Sequence, residues 1–279
     1  MLDVIVHGGY VVTMEGKGTG IIPNGAVGIK GNKIETVGPA EEVLSSCKAH
    51  RYIDAKGKAV LPGFVDVHMH TSNAIVRGMS QDLPASDWMF KGILPMLSIA
   101  RPDDLAKGSM VNILEALKAG TTTFCDFDVP MLALAPNYEK TKVRAVLSNM
   151  INELPVDVSV IEHGVEYPLD AAIGQQKLAD NTALIEQYHQ SNGGRITCRY
   201  GPQAADMCSV ELLREIKNLA DQKGVYINMH VTQSEEEIVQ CMLRTGKRPV
   251  ALLEELGYLD DHLLAAHMTN ANLQEVEQV

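Results

Sequence analysis

The stretch from Ala59 to His70, AVLPGFVDVHMH, decides the fold of this chain and points to its chemistry. A Pro-Gly turn is followed by an apolar, strand-like run that ends at His68 and His70. Because alternate residues of a strand point to the same side, the two histidines project together while Met69 points away. Two imidazoles aimed at one point are typical of a metal-chelating site, so the stretch predicts a metal centre at the end of a strand.

From residue 62 onward, strand-like runs alternate with helical runs, for example the run from a Ser209 N-cap to a Gly224 C-cap. This order favours a parallel sheet, because parallel strands need crossover connections. Six strands fit an open doubly wound sheet or most of an eight-stranded barrel, and no G-x-G-x-x-G supports the dinucleotide-binding open sheet. The six runs are GFVDVHMH, TTTFCDF, KVRAVLSNMI, RITCRYGPQ, VYINMHVTQ and HLLAAHMTN.

The first 61 residues have a different pattern. Short β-rich runs are separated by Gly and Asn-Gly turns, which predicts a small antiparallel module. We therefore predict two parts, a β module over residues 1–61 and a barrel or open sheet over residues 62–279. The sequence stops in what reads as the opening of a helix, so we expect a fragment of a longer protein or a chain completed by a second polypeptide.

Composition excludes several classes of function. The net charge of −11, from 24 basic and 35 acidic residues without a basic block, argues against nucleic acid. No apolar run has the length of a membrane span and no leader pattern is present, so we expect no membrane contact and a cytoplasmic location. Five scattered cysteines lack C-x-x-C spacing, so neither a disulfide framework nor a thiolate zinc site is expected.

Two more histidines end predicted strands, His230 in VYINMH and His267 in LLAAH. Active sites of parallel α/β folds lie at the carboxyl ends of their strands. Four of nine histidines at three such ends make coincidence improbable, and neutral imidazoles suit zinc or iron, which lower the pKa of a bound water to about 7. No role is assigned to the other five, His7, His50, His163, His189 and His262.

The string VLPGFVDVHMHTSNAIVRGMSQDLPASDWM resembles the amidohydrolase superfamily, in its aminohydrolase branch of S-adenosylhomocysteine and methylthioadenosine deaminases, guanine deaminase and triazine hydrolases. EALKAGTTTFCDF, GPQAADMCSVELL, MHVTQSEEE and LLAAHMTN are similar to successive landmarks of that branch. The resemblance implies a (β/α)8 TIM-type barrel, with six of its eight strands in this chain, and a small β-sandwich to which residues 1–61 contribute.

The same resemblance implies roles for the histidines. His68, His70 and His230 match the ligands of one divalent metal ion, zinc or else iron. His267 matches a histidine that contacts the metal-bound water or the substrate. The strand-eight aspartate of the family, a metal ligand and general base, would lie beyond Val279. Homo-oligomers are common among relatives, so self-association is a further expectation.

The chain departs from the family pattern after His230, where a glutamate that shuttles protons is replaced by Gln233. Glutamine forms hydrogen bonds with a heterocycle but does not exchange protons at neutral pH. Glu235, Glu236 and Glu237 follow Gln233. One of these glutamates could replace the missing proton shuttle after a shift of the loop, but the favoured interpretation is that all three are solvated residues at the start of a helix, stabilised by its dipole.

Three residues are candidates for substrate binding. Gln203 stands where adenosine-type deaminases often carry the histidine of G-P-H, which argues against an adenosine-type substrate. Asp87 and Trp88 match an acidic-Trp pair that lines the pocket in the branch, with a core-packing tryptophan as the equal alternative. Asp126, which ends the second strand, is expected near the barrel mouth without a catalytic role.

Three hypotheses about function follow. The leading one is a metal-dependent hydrolase that deaminates a purine, pyrimidine or triazine-type heterocycle. The second is a hydrolase of the same superfamily that releases chloride or opens a cyclic amide, because Gln233 suits a leaving group that needs no proton. The third is an inactive fragment or pseudoenzyme that lacks the strand-eight aspartate.

Overall fold

The computed structural model describes residues 1–16, 20–84, 87–162 and 164–279. The chain divides into two compact units, Met1–Phe64 and Val65–Val279. The sequence predicts the division after residue 61, and the assignment of residues 1–61 to a β-sandwich stays a prediction. No helix in the described part of the chain is long and apolar enough to cross a membrane.

The first unit is built around its longest strand, β1, which pairs with three other strands. Its elements are β1 (Leu2–Val12), β2 (Ile21–Lys30), β3 (Lys33–Pro39), α1 (Ala40–Ser46), β4 (Ala49–Asp54) and β5 (Ala59–Val60). The β1–β2 and β2–β3 pairs are antiparallel, whereas β4 and β5 run parallel to β1. The expected all-antiparallel module is therefore wrong, because α1 acts as a crossover that returns the chain in the parallel direction.

The second unit alternates strands and helices along the chain. Its strands are β6 (Phe64–Met69, which begins at the last residue of the first unit), β7 (Thr121–Asp128), β8 (Arg144–Ile151), β9 (Ile196–Cys198), β10 (Gly201–Pro202), β11 (Ile227–Val231) and β12 (Leu263–His267). Its α-helices are α2 (Leu94–Ile99), α3 (Pro102–Ala119), α4 (Met131–Thr141), α5 (Ala171–Tyr188), α6 (Val210–Lys223), α7 (Glu235–Thr245), α8 (Pro249–Glu255) and α9 (Leu273–Gln278). Shorter turns are the 3-10 segments Thr71–Val76 and Val158–Val160, the π-helical segment Trp88–Ile93 and the helical turn Ser191–Gly194.

The strands form parallel sheets, as the alternating pattern predicts. One sheet has the order β10-β8-β7-β6 with β9 also on β8, and β11 pairs with β12. The β7–β8, β8–β9, β8–β10 and β11–β12 pairs are parallel, and a parallel bridge joins Tyr200 to Ile227. All six predicted strands are confirmed, with the fourth split into β9 and β10.

Helix ends follow the local sequence, as α6 illustrates. The Ser209 side chain accepts a hydrogen bond from the backbone N–H of Leu212, and Gly224 ends the helix with a left-handed φ of 62°. Leu212 and Ile216 are buried on one face of the helix. They join one large apolar core with the β8 and β11 residues Leu147 and Met229, and that core holds the strands whose ends carry the histidines.

Candidate metal centre and substrate pocket

Four histidines meet at the carboxyl ends of strands in the second unit. The ring centroid of His68 lies 4.8 Å from that of His70, 4.9 Å from that of His230 and 5.1 Å from that of His267. The centroids of His230 and His267 are 5.0 Å apart. These are the four histidines that end predicted strands, and the structure brings all of them together.

The register of β11 and β12 explains why two of these rings face each other. His230 lies opposite Ala266, and Val231 lies opposite His267, so the two histidines are one position apart in a parallel pair. His267 has a φ of 79°, a conformation that costs energy in residues other than glycine and is concentrated at functional sites. The backbone is thus strained where the ring joins the cluster.

The histidine cluster is suited to a divalent metal ion, because several of its ring nitrogens have no hydrogen-bond partner. Both ring nitrogens of His68 and both of His230 are buried and have no hydrogen-bond partner among the described residues. One ligand atom each from His68, His230 and His267 lies within 4.8 Å of the other two. Buried polar atoms without a partner are costly, and a shared cation satisfies several at once.

The rings are held in the neutral form that a metal ligand requires. Burial lowers the pKa of His68 to about 3, helped by the neighbouring rings of His70 and His267. Burial likewise lowers the pKa of His230 well below its usual value, and that of His267 is lowered by the same cause. At neutral pH these nitrogens therefore carry lone pairs and bind cations rather than protons.

His70 is oriented through its other nitrogen. Its Nδ1 forms a short hydrogen bond with the backbone carbonyl oxygen of Phe127 on β7. A carbonyl oxygen only accepts, so Nδ1 carries the proton and Nε2 keeps its lone pair. This role of β7 was not predictable from the sequence, because any residue supplies a backbone carbonyl.

Asp126 anchors the segment that follows the first two histidines. Its carboxylate accepts hydrogen bonds from the backbone N–H of Thr71 at 3.0 Å, from the Thr71 hydroxyl at 2.6 Å and from the Tyr138 hydroxyl at 2.6 Å. Two strand positions further on, Asp128 accepts from the backbone and side chain of Ser72, both at 2.8 Å. Asp126 is fully buried beneath this segment, and its hydrogen bonds hold the segment in place.

Gln233 lies three residues after His230 and lines a small cavity in the second unit. Its backbone N–H donates to the carboxylate of Glu237 at 2.8 Å, and the N–H of Thr232 donates to the same carboxylate at 3.0 Å. Glu237 is completely buried, so the expectation of three solvated glutamates at this helix start is wrong for Glu237. Its carboxylate satisfies two backbone groups of the turn after His230, where Thr232 has a φ of 46°.

Gln203 is held by a chain of hydrogen bonds with a fixed direction. The Lys177 ammonium and the backbone N–H of Leu154 donate to Oδ1 of Asn152, at 2.8 and 3.0 Å. Both groups only donate, so the other atom of the Asn152 amide is Nδ2, which donates to Oε1 of Gln203 at 2.5 Å. The remaining Nε2 of Gln203 is therefore a donor, and the sequence did not reveal this polarity.

The predicted acidic-Trp pair lies at the start of the π-helical segment. Trp88 is 36% exposed and lines the same cavity as Gln233, so it is not a core tryptophan. Asp87 forms an ion pair with Lys91 at 2.7 Å. Of the histidines given no role, His163 lies outside the described residues. His189 accepts a hydrogen bond from the backbone N–H of Cys198, and the ring of His262 stacks on that of Tyr226.

Comparison with known proteins identifies relatives across nearly the whole chain. The model of the amidohydrolase family matches residues 59–278. A 5-methylthioadenosine/S-adenosylhomocysteine deaminase of Pelotomaculum thermopropionicum is 31% identical over 99% of this chain and 60% of its own length. A 5'-deoxyadenosine deaminase of Methanosarcina acetivorans is 33% identical over 96% of this chain and 57% of its own length. The chain therefore spans less than two thirds of the length of these relatives.

A solved structure agrees with these matches. The crystal structure of an adenosine deaminase from Xanthomonas campestris with bound zinc superimposes with a TM-score of 0.88 at 24% identity, over 99% of this chain and 60% of that one. This likeness, together with the parallel strands and alternating helices, shows the α/β barrel fold that the sequence predicts. The chain contributes the six strands from β6 to β12, with β9 and β10 counted as one.

Proposed function

The chain belongs to the amidohydrolase family, and from that premise we propose that it is a metal-dependent hydrolase that removes an amino group from an aromatic nitrogen heterocycle. The relatives named above are deaminases of adenine-containing nucleosides, which supports this class of reaction. Because the chain spans only part of their length, the proposal concerns the activity of the whole protein.

The orphaned histidine cluster carries the proposal. Four imidazoles meet at the strand ends, where α/β barrels carry their active sites, and the buried, unpartnered ring nitrogens of His68 and His230 are placed to bind a cation. We assign His68, His70 and His230 as ligands of one divalent ion, zinc in preference to iron. Such an ion, when bound, makes hydroxide available at neutral pH by lowering the pKa of a water to about 7.

The protein's own groups orient the reactants. His267, on its strained backbone, is assigned the role of holding the attacking water and stabilising negative charge on the ring. Gln233 is assigned a hydrogen bond to the heterocycle rather than a proton transfer, because a side-chain amide donates and accepts hydrogen bonds but does not take up a proton. Gln203 presents Nε2 as a donor, so we expect a ring nitrogen or an oxo group of the substrate to face it.

Trp88 is assigned to the wall of the substrate pocket, because its exposed ring lines the cavity beside Gln233. Asp87, the residue before Trp88, is assigned to substrate binding as well, with its carboxylate held by Lys91. We further propose a cytoplasmic location, which suits the five free cysteines.

Ammonia release tests this function. The whole protein, loaded with zinc or iron, is incubated with aminopurine nucleosides, aminopyrimidines and aminotriazines, and ammonia is measured. We expect release from at least one class and its loss in the His230→Ala variant. A complete absence of ammonia from the panel with metal-loaded protein would refute the deaminase assignment.

One observation favours a second candidate, the release of chloride from a halogenated heterocycle. Gln233 stands where the family pattern has a proton-shuttling glutamate, and chloride leaves without a proton while an amine does not. Chloride release without ammonia from a chlorinated and aminated triazine would favour this candidate over the first.

A further inference from the structure

A cavity beside Gln233 has a composition that neither the metal centre nor the proposed hydrolysis explains. Its volume is about 70 Å³, while a single water needs about 10–15 Å³, so it accommodates a small organic group. The side chains that line the cavity include three aromatic rings, two methionine thioethers and two carboxyl groups. These residues are Trp88, Phe90, Tyr167, Met89, Met207, Asp206 and Glu236.

Asp206 is the unusual member of this wall. It is 2% exposed, and its Oδ1 atom is buried without a hydrogen-bond partner among the described residues. Arg244 lies close enough for its charge to act on this carboxyl group, but its guanidinium donates its hydrogen bonds to the backbone oxygens of Asp206 and Tyr167 and to the side chain of Glu166. Among the residues that the structure describes, no cationic side chain is hydrogen-bonded to the carboxyl group of Asp206.

The aromatic rings add to the negative character of the cavity. Phe90 and Tyr167 pack edge to face, with centroids 5.6 Å apart. The faces of aromatic rings carry negative potential and attract ammonium groups within about 6 Å. A positively charged N–H donor that reaches Oδ1 of Asp206 would satisfy this oxygen and would also be attracted by the aromatic rings, whereas a neutral apolar ligand would leave the oxygen unsatisfied.

We propose that this cavity is a subsite for an alkylammonium group, with Asp206 as its hydrogen-bonding counter-ion and Trp88, Phe90 and Tyr167 as its aromatic walls. The location beside Gln233 makes the natural occupant a positively charged side group of the heterocyclic substrate, an extension that rests on the proposed function. Binding of the cation itself does not depend on it.

Fluorescence of Trp88 tests the subsite directly, because it is the only tryptophan in the 279-residue chain. The 279-residue protein is titrated with ethylammonium chloride, and with sodium chloride and ethanol as controls for ionic strength and for a neutral group of similar size. We expect a saturable change with ethylammonium alone and a dissociation constant of about 1–50 mM.

Matched variants identify the counter-ion. At pH 8, where the Asp206 carboxylate is ionised, Asp206→Asn should weaken ethylammonium binding by at least about ten-fold, because a charged acceptor is replaced by a neutral one. Asp103→Asn, which changes an exposed aspartate in the first turn of α3, should leave binding unchanged. Phe90→Leu keeps the carboxylate and should weaken binding by about three-fold, so it decides the question if Asp206→Asn does not fold.

The proposal is overturned by an unsaturable response in the unaltered protein, by an equal response to ethanol, or by unchanged affinity in both Asp206→Asn and Phe90→Leu. The titration needs no turnover. Failure to release ammonia and failure to bind ethylammonium are therefore separate results, and either can occur without the other.

Discussion

Nδ2 of Asn152 lies 2.5 Å from Oε1 of Gln203, and this contact sets the hydrogen-bonding polarity of Gln203. The direction comes from Lys177, whose ammonium donates to the other side of the Asn152 amide. A lysine on a helix thus determines whether a residue two contacts away offers a donor or an acceptor. The proposed contact of Gln203 with substrate is therefore testable without changing Gln203 itself.

Asn152→Asp replaces the donor to Gln203 with an acceptor. We expect the Gln203 amide to rotate and KM for the preferred heterocycle to rise by about ten-fold, with kcat changed much less, because a binding contact is lost. Steady-state kinetics on the substrate found by ammonia release measure this split. Asn192→Asp, at an exposed asparagine, is the control, and equal effects of the two variants would contradict the relay.

Gln233→Glu supplies the proton-exchanging group that the family pattern has at this position. If the protein is a deaminase, ammonia release should increase, by up to about 100-fold for an added general acid-base. Initial rates at neutral pH, with metal content matched between the two proteins, provide the comparison. A lower rate of ammonia release in Gln233→Glu would favour a leaving group that needs no proton.

Asp206→Asn should raise stability in alkaline but not in acidic solution. Burial raises the pKa of Asp206 from its ordinary value of 3.8 to about 7. Between these two pH values the folded protein keeps a proton on this carboxyl group, whereas the unfolded chain releases it. Stability contributed by this group therefore falls as the pH rises from about 4 to about 7. The charged and titratable groups around it are Arg244, Glu236, Tyr167, Cys208, Glu237 and Cys241.

The measurement for this variant is the thermal midpoint at pH 8 and at pH 4.5. We expect Asp206→Asn to gain about 4 °C at pH 8, corresponding to about 1–2 kcal/mol, and little at pH 4.5. Asp103→Asn should show no such difference between the two pH values. A gain of the same size at both would show that removal of the buried charge is not the cause.

Glu237→Ala removes the acceptor of two backbone N–H groups in the turn after His230. We expect a loss of about 2–4 kcal/mol in the free energy of unfolding, because each buried donor left unpaired costs about 1–3 kcal/mol. Urea unfolding followed by Trp88 fluorescence reports on this unit. Glu235→Ala, two residues away and exposed, should change the free energy by less than about 0.5 kcal/mol; equal losses would contradict the assigned role.

Sequence patterns predicted the elements of this site that repeat along the chain. His68 and His70 follow from the two-residue period of a strand, and His230 and His267 follow because parallel strands end at one edge. The N-terminal sheet was predicted less well, since nothing in the turn residues indicates that α1 returns the chain parallel to β1.

Contacts between distant segments were not predictable from local patterns. Asp206 and Glu237 read as ordinary polar residues near helix starts, where acids are usually solvated. For Glu237 a signal was present, because Ser234 and Glu237 have the spacing of a capping box. Its carboxylate reaches beyond the N-cap to Thr232 and Gln233, a distance set by the tertiary fold of the turn.

The central claim is that His68, His70 and His230 bind a divalent metal ion, and metal content after reconstitution with zinc tests it most directly. Elemental analysis should find about one zinc per chain in the unaltered protein and in His50→Ala, which changes an exposed histidine of the first unit. His68→Ala and His230→Ala should each lose that zinc. Zinc retained at the same stoichiometry in both variants, or absent from the unaltered protein, would contradict the account.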